Sequence, residues 1–548
     1  MPSDENADVL IVGAGPAGGT VALRLARAGF KVLCLEQGDW VDPSTFPARE
    51  HDIELLITKK WNPDPMVRQQ PADYPLDTSD AEIVPVMYNG VGGGTVLFGG
   101  TWLRSAPSDF RVRTYDGVAD DWPLTYEDLA PYYQQTFNQF GVSGLAGDPA
   151  FPDDVSPPTP PLPVGEVGLR AARGMSELGW HWWPASQALA SRPHNEQAAC
   201  TGWGTCGSGC PVGAKGSADI AVWREALRNG AKLKTTARVR ELTISPQGKM
   251  TGAVYVDADG REQHARASVL VMAANGVGTP RLLLASSSAR HPDGLANSSG
   301  LVGRRLMMHP YVHVRGIFDE PVESWTGPWG NKIYTMQFYE SDESRGFVRG
   351  AKWGAQPTAG PLFALSGYDY AEVGEPGKLR DEPNSPWGPH IHAHVKHRVG
   401  HSFSWDIIVE DLPDDENRVS LSSEVKDAVG LPAPKITYRN SKNTEALIAF
   451  HAARAQEALE AAGASATEVH RVRACGWHLL GTARMGDDRT TSVVNKWGRS
   501  HDVPNLYIVD GSTFVTSTGV NPTATIAALA LRTAEHLVNE RQHQAVPS

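Results

Sequence analysis

The feature of this sequence that most constrains its fold is a glycine motif between two apolar runs near the start of the chain. Residues 8–12 (Asp-Val-Leu-Ile-Val) form a short, mostly apolar run, Gly13, Gly15 and Gly18 follow in the spacing GxGxxG, and a second apolar run ends at Glu36. Short continuous apolar runs are typical of strands buried on both faces of a parallel sheet. The order of strand, glycine turn, helix, strand and acidic residue is typical of a βαβ unit that binds a dinucleotide.

Each part of this motif has a physical role in holding a dinucleotide. The glycines allow a tight turn and let a pyrophosphate approach the N-terminus of the following helix. The Glu36 carboxylate can accept hydrogen bonds from the ribose hydroxyls of the adenosine half. An ordinary glycine turn in an α/β protein is the alternative, and an acidic residue at the end of the second strand argues against it.

Length and composition exclude several classes of protein. A chain of 548 residues corresponds to about three or four domain-sized units, and its net charge of −12 argues against nucleic acid as the main partner. Five cysteines are too few for a disulfide framework. We expect no membrane span and no signal peptide, and therefore a cytoplasmic protein, although export together with a partner subunit stays open.

Two other regions are candidates for ligand contact. Gly93, Gly94 and Thr95 lie in a glycine-rich segment, which suits backbone pressed against a flat or charged ligand, although a mobile loop is the alternative. In the tail, Trp477-His478 is followed by Asp510-Gly511 after an apolar run and by Asn521-Pro522-Thr523 before a long helix. As alternatives, His478 is a core histidine and Asn521 is only a helix N-cap.

The pattern changes between residues 310 and 440. Alternation of apolar and polar residues in His390–Val395 and Ser404–Glu410 predicts antiparallel strands. Proline at the first turn predicts a helix that opens at Thr279-Pro280, and an Ala/Leu-rich pattern predicts another over Thr444–Ala462.

The chain resembles the glucose-methanol-choline (GMC) oxidoreductases. Within that family it is most similar to the branch of gluconate dehydrogenase, pyranose oxidase and glycoside 3-oxidase. The resemblance covers the chain from end to end as an ordered series of motifs. Besides the segments above, the motifs are Cys206-x-x-x-Cys210-Pro211-x-Gly213-Ala214-Lys215, Ala274-Asn275-Gly276-x-x-Thr279-Pro280, Gly303-Arg304, His309-Pro310, Leu412-Pro413 and Asn417-Arg418-Val419.

The resemblance implies an α/β and α+β architecture. A Rossmann-like FAD-binding domain would carry an inserted substrate domain built on an antiparallel sheet. We predict the FAD-binding domain over residues 1–165, 200–309 and 470–548, and the substrate domain over residues 166–199 and 310–469.

The resemblance also assigns residues to the cofactor. Gly13, Gly15, Gly18 and Glu36 would hold the ADP half of FAD, and Val239 would meet the adenine. The glycine-rich segment would lie along the pyrophosphate and isoalloxazine, and the tail would contact the ribityl chain and the pyrimidine edge. These residues are Gly93, Gly94, Thr95, Asp510, Gly511, Asn521, Pro522 and Thr523. Pyranose oxidases attach FAD through a histidine, but Leu97-Phe98 occupies that place here, so we predict non-covalent FAD.

The resemblance places His478 on the catalytic histidine of the family and Asn521 on its partner. We expect oxidation of a CH–OH group to a carbonyl by hydride transfer to the flavin N5, with His478 as the base and Asn521 orienting the substrate oxygen. The expected substrate is a small alcohol, with a C2 or C3 ring hydroxyl of a sugar or glycoside favoured by the branch, and aromatic and polar residues of 310–440 as its contacts. The electron acceptor is oxygen or another molecule, such as a quinone or a cytochrome partner subunit. A dehydrogenase of a non-sugar alcohol, or a lyase with a structural flavin, is the alternative.

Three cysteines leave a question open. Cys200, Cys206 and Cys210 have the spacing C-x5-C-x3-C-P, which is compatible with iron–sulfur ligands. Family members with such a cluster carry an additional adjacent cysteine, and Ala199 stands in that place. The favoured alternative is that these cysteines are structural and that the chain binds no metal.

Overall fold

The structure is a computed structural model that describes residues 5–47, 54, 56, 59–152, 155–358, 360–361, 391–472 and 476–545. Its strands are β1 (Glu5–Val12), β2 (Val32–Leu35), β3 (Asp77–Ala81), β4 (Trp183–Pro184), β5 (Lys232–Lys234), β6 (Arg238–Ile244), β7 (Met250–Val256), β8 (Glu262–Met272), β9 (Tyr311–Ile317), β10 (Ile333–Thr335), β11 (Ala351–Pro357), β12 (Ser402–Val409), β13 (Arg418–Lys426), β14 (Pro432–Tyr438), β15 (Ala466–Val472) and β16 (Leu506–Ile508).

The α-helices are α1 (Pro16–Arg27), α2 (Pro65–Arg68), α3 (Val112–Asp116), α4 (Tyr126–Gln139), α5 (Gly165–Glu177), α6 (Arg224–Arg228), α7 (Asn275–Ala285), α8 (Ile391–Arg398), α9 (Lys442–Ala461) and α10 (Thr523–Ala545). Among the helices of these described ranges, none is long and apolar enough to cross a membrane.

The first sheet is mixed and draws its strands from three separate parts of the chain. Its order is β5-β2-β1-β8-β7-β6, with β16 also paired to β8. The strands β5, β2, β1, β8 and β16 pair in parallel, whereas β7 pairs antiparallel with both of its neighbours. Residues 9–12 and 32–35 are buried, as the continuous apolar runs of β1 and β2 predict. The helices α1, α4 and α10 pack together beside this sheet.

The second sheet is antiparallel in all its pairings, with the order β15-β9-β12-β11-β10-β4. One face packs against α5 and α9 through an apolar core whose strand residues include Val312, Trp353 and Trp405. Successive side chains of a strand point to opposite faces. The other face of β9, β11 and β12 therefore carries the polar residues Tyr311, His313, Lys352, Gln356 and Asp406.

A third sheet joins segments that are far apart in sequence. Its order is β13-β14-β3, and β14 pairs in parallel with β3. Because β3 lies within the predicted FAD-binding ranges and β13 and β14 lie within the predicted substrate ranges, this sheet connects the two. The domain boundaries themselves stay a prediction.

Two predicted elements are wrong. The alternating stretch His390–Val395 is not a strand from residue 391 onward, because Ile391–Arg398 forms helix α8; residue 390 lies outside the described residues. Alternation over so few residues does not discriminate a strand from a short helix. The predicted strand at Ser404–Glu410 is found as β12, and the predicted helix over Thr444–Ala462 is found as α9.

The predicted start of the helix at Thr279-Pro280 is also wrong, because α7 begins earlier, at Asn275. The Asn275 side chain accepts hydrogen bonds from the N–H groups of Val277 and Gly278 and so satisfies two donors of the first turn. Pro280 has no N–H to donate to the carbonyl of Gly276. That carbonyl instead accepts a hydrogen bond of 2.8 Å from the Thr482 hydroxyl, which compensates for proline inside the helix.

Candidate active site

A cavity with an empty volume of ≈2100 Å³, including its opening to solvent, lies between the first and second sheets and is lined by both ends of the chain. The part of this volume that compares with known small-molecule pockets is ≈320 Å³, which lies within their typical range of about 300–1,000 Å³. Its lining includes almost all of the predicted site residues, namely Gly13, Gly15, Glu36, Gly93, Gly94, Thr95, Val239, His478, Asp510, Gly511, Asn521, Pro522 and Thr523.

Gly18 is the predicted site residue that does not line this cavity. It lies inside α1, where an added Cβ would stand 2.0 Å from the carbonyl oxygen of Gly13. Gly18 therefore allows close packing of the helix beneath the glycine turn, and its part in holding the cofactor stays a prediction. Gly13 itself has a φ of +103°, which favours glycine.

The two glycine segments touch each other at one wall of the cavity. The Gly92 N–H donates a hydrogen bond of 2.9 Å to the carbonyl of Ala14. An added Cβ at Gly93, where φ is +54°, would stand 2.9 Å from the Cα of Gly15. A Cβ at Gly94 would meet no heavy atom within 4 Å, so this backbone faces open space. Two bare backbone segments in contact form a surface that a flat or charged ligand can approach closely.

Glu36 lies where the adenosine half of a dinucleotide is expected. Its carboxylate accepts hydrogen bonds from the N–H of Ala14, at 2.8 Å, and from the N–H of Gly38, at 2.9 Å. Burial raises the pKa of Glu36, and hydrogen bonds from the backbone oppose that shift. Each carboxylate oxygen has a second lone pair, so Glu36 can accept further hydrogen bonds from hydroxyls in the cavity.

Asp510 is held in place beside the start of α7. Its carboxylate accepts hydrogen bonds from the hydroxyls of Thr279 and Ser512, each at 2.5 Å, and from the N–H of Ser512 at 3.0 Å. Burial raises its pKa. The carboxylate thus fixes the turn at Gly511 against α7, and both Asp510 and Gly511 face the cavity.

His478 belongs to a hydrogen-bonded pair of histidines at the cavity wall. Its Nδ1 lies 2.7 Å from Nδ1 of His309, and its Nε2 lies 3.5 Å from the hydroxyl oxygen of Tyr311. Nε2 of His309 lies 2.5 Å from the carbonyl oxygen of Thr518 and 3.1 Å from that of Ser517. Burial lowers the pKa of His309 to about 4. Burial also lowers the pKa of His478 well below its usual value, with repulsion from His309 and Lys352 as further causes.

Asn521 presents an unsatisfied acceptor. Its Oδ1 is buried and has no hydrogen-bond partner in the described part of the chain. Helix α10 begins two residues later, at Thr523. The Asn521 Oδ1 therefore does not cap this helix. A buried unsatisfied acceptor is costly, so an unpaired Oδ1 in a cavity wall points to a ligand that donates to it.

The polar face of the second sheet forms another wall. His313 and Asp406 are direct cross-strand neighbours on β9 and β12, and their side chains approach to 3.0 Å. Burial acts to raise the pKa of Asp406, but the hydrogen bond from His313 and the charge of Lys352 hold it below its usual value. Lys352 lies beneath this wall, donates to the Asn331 side chain at 3.1 Å, and has its pKa lowered by burial to about 8.

The aromatic and histidine residues of 310–440 that we expect as substrate contacts reach the cavity only in part, as far as the described residues show. Trp329 lines it, whereas Tyr334 is buried elsewhere and Trp325 is 56% exposed. Tyr368, Tyr370 and His390 lie outside the described residues, as does the side chain of His394. The polar residues that line the cavity beside the second sheet include Thr101, Tyr311, His313, Asn331, Gln356 and Asp406. The alternation in β9, β11 and β12 carries this signal, but the sequence does not reveal which face of the sheet borders a cavity.

The cysteine motif reaches the cavity only indirectly. Buried Lys215 donates hydrogen bonds to the carbonyls of Val96, at 2.7 Å, Phe98, at 3.3 Å, and Cys206, at 2.6 Å. It therefore ties the segment after Gly93 to the cysteine loop. Cys200, Cys206 and Cys210 are free thiols. Within the described ranges, no group of three His, Cys, Asp or Glu side chains is placed to hold a metal ion, and the iron–sulfur question stays a prediction.

These walls match the parts of FAD. The contacting glycine backbones and Glu36 suit the pyrophosphate and the adenosine ribose, and Val239 lines the same space. The unsatisfied Oδ1 of Asn521, in the part of the cavity wall formed by the tail of the chain, can accept a hydrogen bond from an N–H or O–H donor of the cofactor. The residues present therefore fit the group that the sequence motif implies.

Family models for the two parts of a GMC oxidoreductase match residues 7–311 and 413–530. The chain is 39% identical to a 2-methyl-1,2-propanediol dehydrogenase from Mycolicibacterium austroafricanum, over 98% of this chain and 96% of that protein. It is 30% identical to the fructose dehydrogenase large subunit from Gluconobacter japonicus, over 98% of both chains.

A solved structure of formate oxidase from Aspergillus oryzae has a similar fold, with a TM-score of 0.66 and 15% identity over 99% of this chain and 100% of that chain. The two family models, which cover more than half of the sequence, and the two relatives at 39% and 30% identity settle the class of protein. The chain belongs to the GMC oxidoreductase family and is an FAD-dependent alcohol oxidoreductase.

Proposed function

We propose that this protein oxidises one hydroxyl of a small, neutral, polyhydroxylated molecule to a carbonyl, with non-covalently bound FAD as the acceptor of the hydride. The observation that carries the proposal is the position of His478 and of the unsatisfied Asn521 Oδ1 in the cavity that also contains the dinucleotide motif. A base, an orienting group and a site for the redox cofactor thus share one space.

The residues of the chain divide the work of the reaction between them. An alcohol loses a hydroxyl proton and a hydride when it becomes a carbonyl, and FAD, when bound, supplies the acceptor for the hydride. His478 takes the hydroxyl proton, and its low pKa keeps it unprotonated and ready to act as a base at neutral pH. The amide N–H group of Asn521 would donate a hydrogen bond to the same oxygen while negative charge develops on it, and its Oδ1 would accept from another donor of the bound ligands.

The charge of the cavity favours a neutral substrate. Asp406 is ionised, and the ammonium of Lys352 behind it supplies an opposite charge. A wall whose charges balance binds neither an anion nor a cation strongly, whereas Asn331, Gln356 and His313 offer hydrogen bonds to hydroxyl groups. The names of the relatives, a propanediol dehydrogenase and a fructose dehydrogenase large subunit, support a diol or a sugar. A ring hydroxyl at C2 or C3 of a sugar or glycoside stays our favoured target, and a short diol is the alternative.

An anaerobic screen tests the reaction and its substrate together. Purified enzyme with FAD is mixed without oxygen with diols, sugars, glycosides and a simple alkanol, and the visible absorbance of the flavin is followed. We expect bleaching by a neutral diol or sugar and little bleaching by charged analogues. Readmission of air, or addition of a quinone, then shows which acceptor restores the colour. If no alcohol bleaches the flavin, the proposed oxidation is wrong.

Replacement of the base gives the first prediction. His478→Ala removes the proton acceptor, and a well-placed base contributes about 10²–10⁴ in rate. We expect the rate constant of flavin reduction to fall at least about a hundredfold while FAD remains bound. Stopped-flow absorbance measures the rate, and the ratio of flavin to protein absorbance is the control. A rate that matches that of the unmodified enzyme would remove His478 from the mechanism.

A further inference from the structure

The pair of histidines and the carbonyl behind it form a chain of hydrogen bonds with one consistent arrangement of protons. A carbonyl oxygen only accepts hydrogen bonds. Because Nε2 of His309 lies 2.5 Å from the Thr518 carbonyl and 3.1 Å from the Ser517 carbonyl, this nitrogen must carry a proton and donate it. A neutral imidazole carries one proton, so Nδ1 of His309 has a lone pair.

The lone pair on His309 determines the protonation of His478. The two Nδ1 atoms are 2.7 Å apart, which is a hydrogen-bond distance, and one of them must donate. Since Nδ1 of His309 can only accept, Nδ1 of His478 carries the proton and donates. The remaining nitrogen of His478, Nε2, then holds a free lone pair, and it lies 3.5 Å from the hydroxyl of Tyr311, a residue of the cavity wall.

His309 also connects the segment that carries His478 with the segment that carries Asn521. His309 is fully buried, and through Thr518 it holds the backbone that leads to Asn521 three residues later. Thr518 has a φ of +61°, a left-handed conformation that a threonine adopts only when its surroundings hold it there. One imidazole thus contacts both the histidine that acts as base and the turn that leads to the orienting asparagine.

We propose that His309 is a positioning residue that fixes His478 in the tautomer with its proton on Nδ1, so that Nε2 is the atom that accepts the proton of the substrate hydroxyl. This inference rests on the proposed function for the role of His478, but the tautomer itself is a property of the protein without substrate. The chemistry is the same as in a serine protease triad, where loss of the group that orients the imidazole costs about 10⁴ in rate because the wrong tautomer forms.

The direct test is nitrogen NMR of the enzyme with ¹⁵N-labelled histidine, which distinguishes a protonated ring nitrogen from one with a lone pair. The signals are assigned by comparison with the His478→Ala and His309→Phe variants. We expect His478 with its proton on Nδ1 and His309 with its proton on Nε2. The opposite tautomer for His478 would overturn the inference even if alcohols bleach the flavin, whereas failure of the substrate screen would leave this result unaffected.

Kinetics of three variants provide the second test. His309→Phe fills the space but removes the acceptor, and we expect flavin reduction to slow at least about tenfold at saturating substrate, with KM changed less than about threefold. His309→Asn places an amide oxygen near the position of Nδ1 and should recover most of the rate. His451→Phe is the matched control, because His451 is a fully buried histidine of α9 that accepts a hydrogen bond from Trp353 in the apolar core of the second sheet.

Two outcomes of the kinetics would contradict the proposal. One is a rate for His309→Phe that equals that of the His451→Phe control. The other is a rate for His309→Asn as low as that for His309→Phe, which would indicate a packing role alone. If His309→Phe fails to fold, the NMR spectrum of the unmodified enzyme and the Asn variant still decide the question.

Discussion

At the scale of single residues, the site depends on which side chains have partners and which lack them. Glu36, Asp510 and Lys215 are buried ionisable groups whose hydrogen bonds hold backbone segments in place. Asn521 Oδ1 has no partner within the described residues and lies in the cavity wall. The first group therefore builds the cavity, and the second atom is available to a ligand.

The mode of flavin attachment is a prediction at this scale. Leu97 and Phe98 line the cavity at the place where some family members carry the histidine that bonds to FAD, and neither side chain has a nucleophilic atom. We expect acid denaturation to release the yellow cofactor into the supernatant and to leave a colourless pellet. Absorbance of the two fractions measures this, with Leu97→His as a variant that offers a nucleophile. Flavin retained in the pellet of the unmodified protein would show a covalent bond.

At the scale of elements, the glycine-rich segment depends on its neighbours for its shape. The segment from Gly92 to Phe98 touches the first glycine turn on one side and is held by Lys215 on the other. Polar and apolar alternation in β9, β11 and β12 places a polar face toward the cavity and an apolar face toward α5 and α9. The cavity is therefore formed between elements rather than within one.

Removal of the Lys215 ammonium tests this dependence. Lys215→Met leaves three carbonyl groups without their donor, and burial of an unpaired polar group costs about 1–3 kcal/mol. We expect a lower ratio of FAD to protein after purification and a lower free energy of unfolding. Lys31→Met, at an exposed lysine beside β2, is the matched control. Equal flavin content and stability in the two variants would show that Lys215 does not position the segment.

At the scale of the whole molecule, the two ends of the chain meet. The strands β1 and β16 both pair with β8, α1 packs against α10, and residues from both ends line the cavity. The cavity is thus assembled from segments near opposite ends of the sequence. Buried titratable groups contribute to the stability of this assembly in opposite directions.

The pH dependence of unfolding follows from these groups. Burial lowers the pKa of His451 to about 3 from an unfolded value of about 6.5. The unfolded state then binds one more proton than the folded state between these values, so His451 reduces stability as the pH falls from about 6.5 toward 3. Burial raises the pKa of Asp109 to about 8 and that of Asp411 to about 7, so these groups act in the opposite sense, between these values and the unfolded value of about 3.9.

A comparison of two proteins isolates the histidine. The free energy of unfolding, measured by urea denaturation between pH 4 and 6, should fall by about 1.4 kcal/mol per pH unit of acidification more steeply in the unmodified protein than in His451→Phe. The contribution of the carboxyl groups is the same in both and cancels in the difference. Parallel pH profiles for the two proteins would show that His451 is not buried in its neutral form.

Local sequence patterns were sufficient to predict many of the residues that line the cavity and several of the helices and strands. The glycine spacing with Glu36 and the tail segments identified residues that do line one cavity, because these patterns encode backbone shapes that few other residues allow. Helix α9 follows from its composition, and β12 from its alternation. Patterns in short segments predicted secondary structure less well. The stretch that ends at Val395 alternates like a strand, but from Ile391 onward it forms part of helix α8.

Contacts between distant segments were beyond those patterns. Thr482 compensates for Pro280 inside α7, Lys215 supports the segment after Gly93, and His309 meets His478 across 169 positions of sequence. Each of these contacts depends on how sheets and helices pack, and a local motif contains no information about its partner in space. The type of cofactor site was therefore readable from spacing along the chain, whereas the face of the sheet that borders the cavity and the proton arrangement of its histidines follow only from packing in three dimensions.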